Sequence, residues 1–393
     1  MTSNDNLNDN RNLSDAIQLL KVLRQKGIYA VVAGGAVRDK ILMKPPADVD
    51  IAVDAGNEEL LDKCPEAFFP SNHFDSALLP FKNSVYEITP FRGNSKNLID
   101  DLAKRDFTMN AMALNEEQSL IDPYYGRADI KAGIIRAVGN ANARFQEDPL
   151  RILRAYRFMS KFGWEIEPVT LTAIQEEKHR LGDVAVERLR KEIDELLIGQ
   201  YHPKSVSALQ RDRIAACFPE RLRGRKTLSF QNRSVSFATF STLNEKRAAF
   251  FICLYNCEAG QFIHEWKYSN KDKKKIKLII ESGTKSKHFH TKGWGLYQIG
   301  LESALQVERF QQWITSSKDP QMLKTISAEY KKLPIKSKQE LAVDGSEILR
   351  LYPEIEKSCI GTLLTKIERL VVEKRLANDK EEIIKFLKER LKT

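Results

Sequence analysis

The chain has 393 residues, 42% hydrophobic and 30% charged, with a formal net charge of +10. That length holds roughly two to four domains of a water-soluble type, and the surplus charge favours a polyanionic partner, nucleic acid first, over a merely solvated basic surface. No apolar run approaches the roughly 18–20 residues that span a bilayer, and the polar, Asn-rich start lacks the features of a secretory signal, so a membrane is excluded and a bacterial-type cytoplasm is expected. Cys64, Cys217, Cys253, Cys257 and Cys359 complete no zinc set and read as buried free thiols.

Residues 1–12 read as disordered, and 13–26 as a helix with Ser14 as N-cap and Gly27 as its stop. A β-rich run, 29–33, meets Gly34 and Gly35, and a helical pattern starts at once, to be ended by Pro45 and Pro46. Asp48-Val49-Asp50 then opens a second β-like run. Strand alternation sends both aspartates to one face and Val49 to the core. Adjacent carboxylates repel, and hard divalent cations with oxygen ligands relieve the conflict. Glycines at a helix N-terminus, where free N–H groups point outward, suit phosphate. Either piece alone reads more simply as a tight turn or a solvent-facing edge strand. Joined in one β-α-β-like unit, they read as a metal–triphosphate site.

Residues 57–63 look helical and 66–91 look like strands. Val85, Glu87 and Thr89 share a strand face, which makes Glu87 a candidate third carboxylate; an edge-strand position is the other reading. Residues 104–114, KRDFTMNAMAL, read as a short helix beginning at Arg105 and Asp106, followed by a turn at 121–126 and a return strand at 130–137. Residues 142–164 read as one helix, with Asp148 a turn ahead of Arg151, Arg154 and Arg157 on one ridge. A plain amphipathic helix would explain the arginines. An acid followed by three arginines, in a chain that already has D-x-D, points instead to an anionic ligand. Helices follow at 168–178 and 186–197, and the rest is mostly helical, with a loop at 334–346 and helices at 348–373 and 380–391. Residues 267–292 carry a lysine run that includes Lys271, Lys273, Lys274, Lys275 and Lys277, and His288 and His290 in its basic loop are too few for a metal.

The motifs GGAVRD, DVD, KRDFTMNA and EDPLRILRAYRF, in this order and spacing, resemble those of bacterial tRNA nucleotidyltransferases, the CCA-adding enzymes of the polymerase-beta-like superfamily. The stretch LPIKSKQELAVDGSEILRLYP is similar to the C-terminal domain of Bacillus-type members. The resemblance implies an elongated protein with an α/β nucleotidyltransferase head (13–140) and an all-α remainder. That remainder would comprise a neck with a base-recognition helix (141–200), a body (201–290) and a tRNA-binding tail (291–393). It implies that Asp48 and Asp50 bind two Mg²⁺ ions and carry the catalysis. Gly35 and Arg38 would contact the nucleotide. Arg105 would bind the incoming nucleotide, with Asp106 near its ribose. Asp148 and Arg151 would read the base edge, and Arg154 and Arg157 would hold the triphosphate. The implied partners are the 3′ end of tRNA, CTP and, for a full CCA-adding enzyme, ATP. The base-reading role makes chemical sense, because a carboxylate accepts from the exocyclic amine of cytosine or adenine while a guanidinium donates to the adjacent ring acceptor.

One stretch departs from the family pattern. Residues 92–103, RGNSKNLIDDLA, are shorter than the flexible loop that family members carry there. That loop is implicated in switching the base site from C to A, and members lacking it stop at CC. The expectation is therefore a CC-adding enzyme, with full CCA addition as the alternative. Poly(A) polymerase is disfavoured because its basic signature after the first strand is absent. A non-catalytic RNA-binding protein would not need the acidic and arginine set, and a small-molecule nucleotidyltransferase would not need the long basic helical half.

Overall fold

The computed structural model describes residues 5–70, 76–92, 97–223, 239–255, 259–284 and 289–391. The chain divides into two units, residues 1–223 and 224–393. In the first, helix α1 (Asp5–Gln25) turns its apolar side chains, Ala16, Leu19, Leu20 and Leu23, inward and packs on strand β1 (Ala30–Ala33). Helix α1 begins upstream of the predicted start, so Ser14 lies within the helix and is not its N-cap; residues 1–4 are outside the described residues.

All four residues of β1 are buried. Helix α2 (Gly35–Ile41) leaves its end directly and stops before the two prolines. Strand β2 (Asp50–Val53) follows, then helix α3 (Asn57–Lys63), strands β3 (Ala77–Phe81) and β4 (Ser84–Pro90), and helix α4 (Leu98–Ala103). Two short strands, β5 (Ala113–Leu114) and β6 (Leu120–Ile121), complete a six-stranded sheet in the order β3-β4-β2-β1-β5-β6. Its one parallel pair is β2 with β4, which sets Asp50 beside Glu87. Strand β4 is thus interior and β3 is the edge, so the edge-strand reading of Glu87 does not hold. Val31, Ala33 and Ala52 form a core with Leu98 and Leu102 of α4 and with Ala111 and Ala113.

Three predicted elements between residues 104 and 164 come out differently. Residues 104–114 are not an α-helix. Only Thr108–Asn110 makes a short 3-10 turn, while Phe107, Met109, Ala111, Met112 and Ala113 are all fully buried. A helix would leave one flank of that run in water, whereas the bent segment buries every apolar side chain and bridges Phe107 to Ala137. The predicted return strand over 130–137 is only partly one: residues 130–132 are the end of helix α5 (Gly126–Ala132), closed by Gly133 at φ 68°, and the two-residue strand β7 (Ile134–Ile135) and the Ala137 bridge follow. The long predicted helix is two helices, α6 (Ala141–Glu147) and α7 (Leu150–Phe162). Pro149 separates them, because a proline ring drives the preceding residue out of helical geometry, and Asp148 accordingly sits at φ −148°, ψ 98°.

Strand β8 (Glu165–Ile166) pairs with β7, and helices α8 (Pro168–Glu177), α9 (Val186–Ile198) and α10 (His202–Arg211) complete the unit, with α9 and α10 packed on α7.

The described part of the second unit is helical. It comprises α11 (Leu243–Tyr255), α12 (Ala259–Phe262), α13 (Asn270–Gly283), α14 (Gly293–Thr315), α15 (Pro320–Lys331), α16 (Gly345–Leu351), α17 (Lys357–Val372) and α18 (Lys380–Leu391). The predicted helix over 348–373 is split into α16 and α17 by the segment around Pro353. Ile276, Ile279 and Ile280 bury one face of α13, and the lysine run occupies its remaining surface. Lys285, Lys287 and His288 lie outside the described residues, as does Cys257; the other four cysteines are free thiols. Among the described residues no helix is long and apolar enough to cross a membrane.

Gly126 shows how tightly the first unit is drawn around residues 104–114. A Cβ there would lie 2.2 Å from the backbone oxygen of Thr108, which cannot step aside. Gly126→Ala is expected to lower the stability of the first unit by about 1–3 kcal/mol. Urea unfolding followed by hydrogen exchange over residues 104–138 measures it.

Candidate active site

Asp48 and Asp50 flank buried Val49 at the mouth of β2, and both carboxylates face solvent, as strand alternation requires. Among the described residues neither carboxylate makes a hydrogen bond or ion pair. Asp50 is open to the cleft, yet crowding by protein atoms pushes its carboxyl above the usual range. Glu87 and Asp48 push the same way, against the opposing charges of Arg105 and Arg92. This is the electrostatic conflict that a hard cation relieves. No group of three or more His, Cys, Asp or Glu among the described residues forms a ready-made metal cage. A pair of open carboxylates fits Mg²⁺, which binds through one or two carboxylates and takes its other oxygens from substrate phosphate and water.

Of the Gly-Gly turn, Gly34 leaves no room for a side chain. Gly34 has φ 83°, and a Cβ on it would lie 2.6 Å from Nη1 of Arg105. Arg105 is fixed from behind, because its Nε and Nη2 donate to Asp101 Oδ2 at 3.1 and 3.0 Å. Asp101 is 1% exposed, and its other oxygen accepts from the backbone N–H of Arg92 at 3.1 Å.

Asp106, next in sequence, is turned inward. Its carboxylate accepts from the backbone N–H of Phe107 (2.8 Å), from Asn110 Nδ2 (2.9 Å) and from Nε and Nη2 of Arg154 (2.8 and 2.6 Å). Burial alone would raise its pKa; the charge of Arg154 and these hydrogen bonds outweigh burial and hold it at about 2. Asn110 in turn accepts from Nη1 of Arg38 at 2.6 Å, and Arg38 also engages Asp39 at 2.9 Å. Arg38 is 5% exposed and stacks on Phe162.

Arg154 and Arg157 project from α7 toward Glu192 of α9. Arg157 Nε donates to Glu192 Oε2 at 2.6 Å, and Arg154 Nη1 is 3.8 Å from Oε1. The ring of Phe158 lies under Arg157, 4.3 Å from the guanidinium carbon, and within 5.7 Å of that of Arg154. One step earlier, the break at Pro149 frees the Asp148 carboxylate. Its Oδ1 accepts from the Leu150 N–H, and its Oδ2 from Arg188 of α9 at 2.9 Å. Asp148 therefore stands at the junction of α6 and α7, not on the α7 ridge. Arg151 is held by the Lys104 carbonyl (2.7 Å), the Arg144 carbonyl (3.2 Å) and Glu147 (3.0 Å).

Gly35, Arg38, Asp48, Asp50, Arg105, Asp106, Asp148, Arg151, Arg154 and Arg157 thus line one cleft of about 550 Å³. Glu87 does not. It lines a second cleft of about 830 Å³ that shares Arg92 with the first. Sequence reasoning missed Asp101, Asn110, Arg188 and Glu192. Asp101 had a readable signal, its i, i+4 spacing to Arg105. Glu192 had another, falling three residues after Leu189 on the apolar stripe of α9, where an acid needs a partner.

Three family models match successive stretches. The poly A polymerase head domain covers residues 30–136, the probable RNA and SrmB-binding site of polymerase A covers 163–222, and a putative tRNA nucleotidyltransferase domain 2 covers 238–387. A CCA-adding enzyme of Bacillus cereus (strain ATCC 10987 / NRS 248) is 32% identical over 391 residues, covering 95% of this chain and 98% of the relative. The chain belongs to the CCA-adding enzyme family of tRNA nucleotidyltransferases. A solved member, the Bacillus stearothermophilus CCA-adding enzyme in complex with CTP, superposes with a TM-score of 0.83 at 30% identity, over 97% of this chain and 98% of that one. The Thermotoga maritima CCA-adding enzyme complexed with tRNA shares the fold at a TM-score of 0.63 and 22% identity, over 96% and 95% of the two chains. As a CCA-adding family member, the chain has its nucleotidyltransferase head in the mixed sheet of the first unit and a mostly helical remainder.

Because the folded pKa of Asp106 is depressed, its contribution to stability is fully present above the usual carboxylate pKa near 4 and is lost as pH falls through about 2. Asp106→Asn should cost roughly 2 kcal/mol at pH 7, and the gap from wild type should close between about pH 4 and pH 2. Urea unfolding across that range, read by hydrogen exchange around Asn110, checks both.

Proposed function

We propose that this chain adds CMP from CTP to the 3′ end of tRNA, releasing pyrophosphate and stopping at CC. The observation that carries the reading is the single cleft. It brings two open carboxylates together with a cluster of guanidiniums and an acid–arginine pair. Asp48 and Asp50 hold the divalent metal, Mg²⁺ by its donor chemistry; when bound, it supplies Lewis-acid activation of the 3′-hydroxyl and charge balance on the α-phosphate. Arg154 and Arg157 take the triphosphate, and Arg157, which spends only Nε on Glu192, keeps its Nη groups for phosphate. Arg105 lies over Gly34 to meet the nucleotide, and Gly35 and Arg38 in the same cleft contact it as well. Asp148 accepts from the amine of the base and Arg151 donates to the ring. The tRNA substrate puts the reaction in the cytoplasm. Residues 13–140 serve as catalytic head, 141–200 as base-reading neck, and 201–290 and 291–393 as the body and tail that hold the RNA by phosphate and shape.

The CC limit is supported by the link after β4. Of residues 92–103, six form α4, anchored by buried Leu98, Asp101 and Leu102, and Asp101 ties this stretch to Arg92 and Arg105. Little chain is left to rearrange the base site for A. With tRNA lacking CCA, CTP and ATP, nucleotide-resolved extension should end at CC. Efficient addition of the terminal A would establish full CCA addition instead, and a small-molecule nucleotidyltransferase would leave tRNA unlabelled. Asp48→Ala and Asp50→Ala should each cut CMP incorporation by at least about a hundredfold; a mere RNA-binding protein would lose nothing. Glu192→Gln should raise KM for CTP by roughly tenfold with kcat little changed, because a hydrogen bond to a charged group is worth about 1.5–3 kcal/mol.

A further inference from the structure

Helix α7 lines the 550 Å³ cleft with Arg151, Arg154, Arg157, Phe158 and Lys161, and each of these arginines engages an acid, Glu147, Asp106 and Glu192 in turn. Among the described residues no acid forms an ion pair with Lys161. We infer that Lys161 takes the terminal phosphate of the bound nucleoside triphosphate, and so makes the cleft prefer CTP to CDP. This rests on the nucleotidyltransferase reading and gives a role to a cation which that reading leaves unassigned.

The helix sets an order. Arg151, Arg154, Arg157, Phe158 and Lys161 recur at helical spacing, so they share one face of α7. From Arg151 to Lys161 that face runs roughly 15 Å, at about 1.5 Å per residue. The base is read at Asp148 and Arg151, and the phosphates are held at Arg154 and Arg157. A nucleotide laid along this face therefore meets Lys161 last, with its terminal phosphate. Lys161 is exposed at the rim of the cleft, where its long, flexible side chain can reach a phosphate without displacing protein.

Positive charge gathers at the same place. Around the ring of Phe162 stand Arg38, Lys161 and Lys44, at 5.1, 5.3 and 5.8 Å from its centroid. The ring is fixed by stacking on Trp164 at 4.6 Å. Arg38 comes from α2 and Lys44 from the segment after it, so distant parts of the first unit deliver cations to one spot. Asp39 is the acid at hand, and Arg38 already occupies it through Nε at 2.9 Å and Nη2 at 2.8 Å. An aromatic face attracts an ammonium but carries no net charge, so the positive excess remains. Burial, with the charges of Arg38, Arg157 and Lys44, accordingly holds the Lys161 ammonium below the usual lysine range, against the pull of Asp39. A phosphate anion at the ammonium relieves this crowding.

A lysine in the last turn of a helix also suits the helix dipole, and Lys161 stands in that turn of α7. That role needs no ligand and would leave the affinities for CTP and CDP alike. A phosphate of the RNA would be another anion for the same ammonium. The nucleotide is favoured because Lys161 continues the face that carries the base-reading and phosphate-holding side chains.

The experiment is equilibrium dialysis of CTP and of CDP against the full chain with Mg²⁺ and no tRNA. Lys161→Gln should raise Kd for CTP roughly ten- to a hundredfold, the value of a hydrogen bond to a charged group, while Kd for CDP moves less than about threefold. Retained CDP binding also shows that the variant is folded. Lys161→Arg, which keeps the charge, should keep CTP binding close to wild type. In extension of tRNA lacking CCA, Lys161→Gln should raise KM for CTP and leave kcat and KM for tRNA near wild type. An unchanged Kd for CTP in Lys161→Gln, or CTP and CDP weakening in step, overturns the inference. So does a raised KM for tRNA with CTP binding intact, which would put Lys161 on the RNA. Wild-type protein that binds CTP in preference to CDP, loses that preference in Lys161→Gln and never labels tRNA would sink the proposed function and leave the subsite standing.

Discussion

A buried carboxylate must be satisfied by protein, and the Asp106 carboxylate is satisfied from its own segment, by the Phe107 N–H and Asn110, and from α7, by Arg154. Through Asn110 it reaches Arg38 and the Gly-Gly turn, and through Arg154 it reaches α7 and, by Glu192, α9. The floor of the cleft is therefore one connected polar network. Such networks stiffen a site when every member is paired and weaken it sharply when one is not, because a lone buried charge costs several kcal/mol. Arg38, Arg154 and Arg157, which line the cleft, inherit their positions from this buried chain.

The cleft divides its charges by depth. Below, each cation has an acid, as in Arg38 with Asp39, Arg105 with Asp101, and Arg154 with Asp106. At the surface, Asp48 and Asp50 are left with each other, and Phe158 spaces the arginines of α7 with its ring. Satisfied pairs give rigidity, and the unsatisfied pair keeps its affinity for something not part of the protein.

Much of this was readable from residues alone. The D-x-D alternation, the helix over 57–63 and the last helix come out as the local pattern implies, and the motif residues converge on one cleft, Glu87 excepted. What could not be read depends on partners distant in sequence. Residues 104–114 carry a helical-looking pattern, but their apolar side chains are claimed from all sides, so burial overrode propensity. The break at Pro149 was legible in principle, since the proline restricts Asp148, yet the regular spacing of the arginines masked it. For Glu87 the candidate-carboxylate and edge-strand readings both stayed open, because nothing local announces that a strand from earlier in the chain will lie alongside it.

The two ties flanking the link after β4 are both made by residues outside 93–96. Arg92 gives its N–H to Asp101, and the Asn97 side chain caps α4 at Ile99. Loop-closure entropy grows only logarithmically, by about 0.6 kcal/mol per doubling of length. A longer segment spliced between those ties would leave the sheet, α4 and the arginine network where they are. The length of this seam could thus drift over evolutionary time by insertion and deletion, almost uncoupled from the thermodynamic cost of keeping the chain folded.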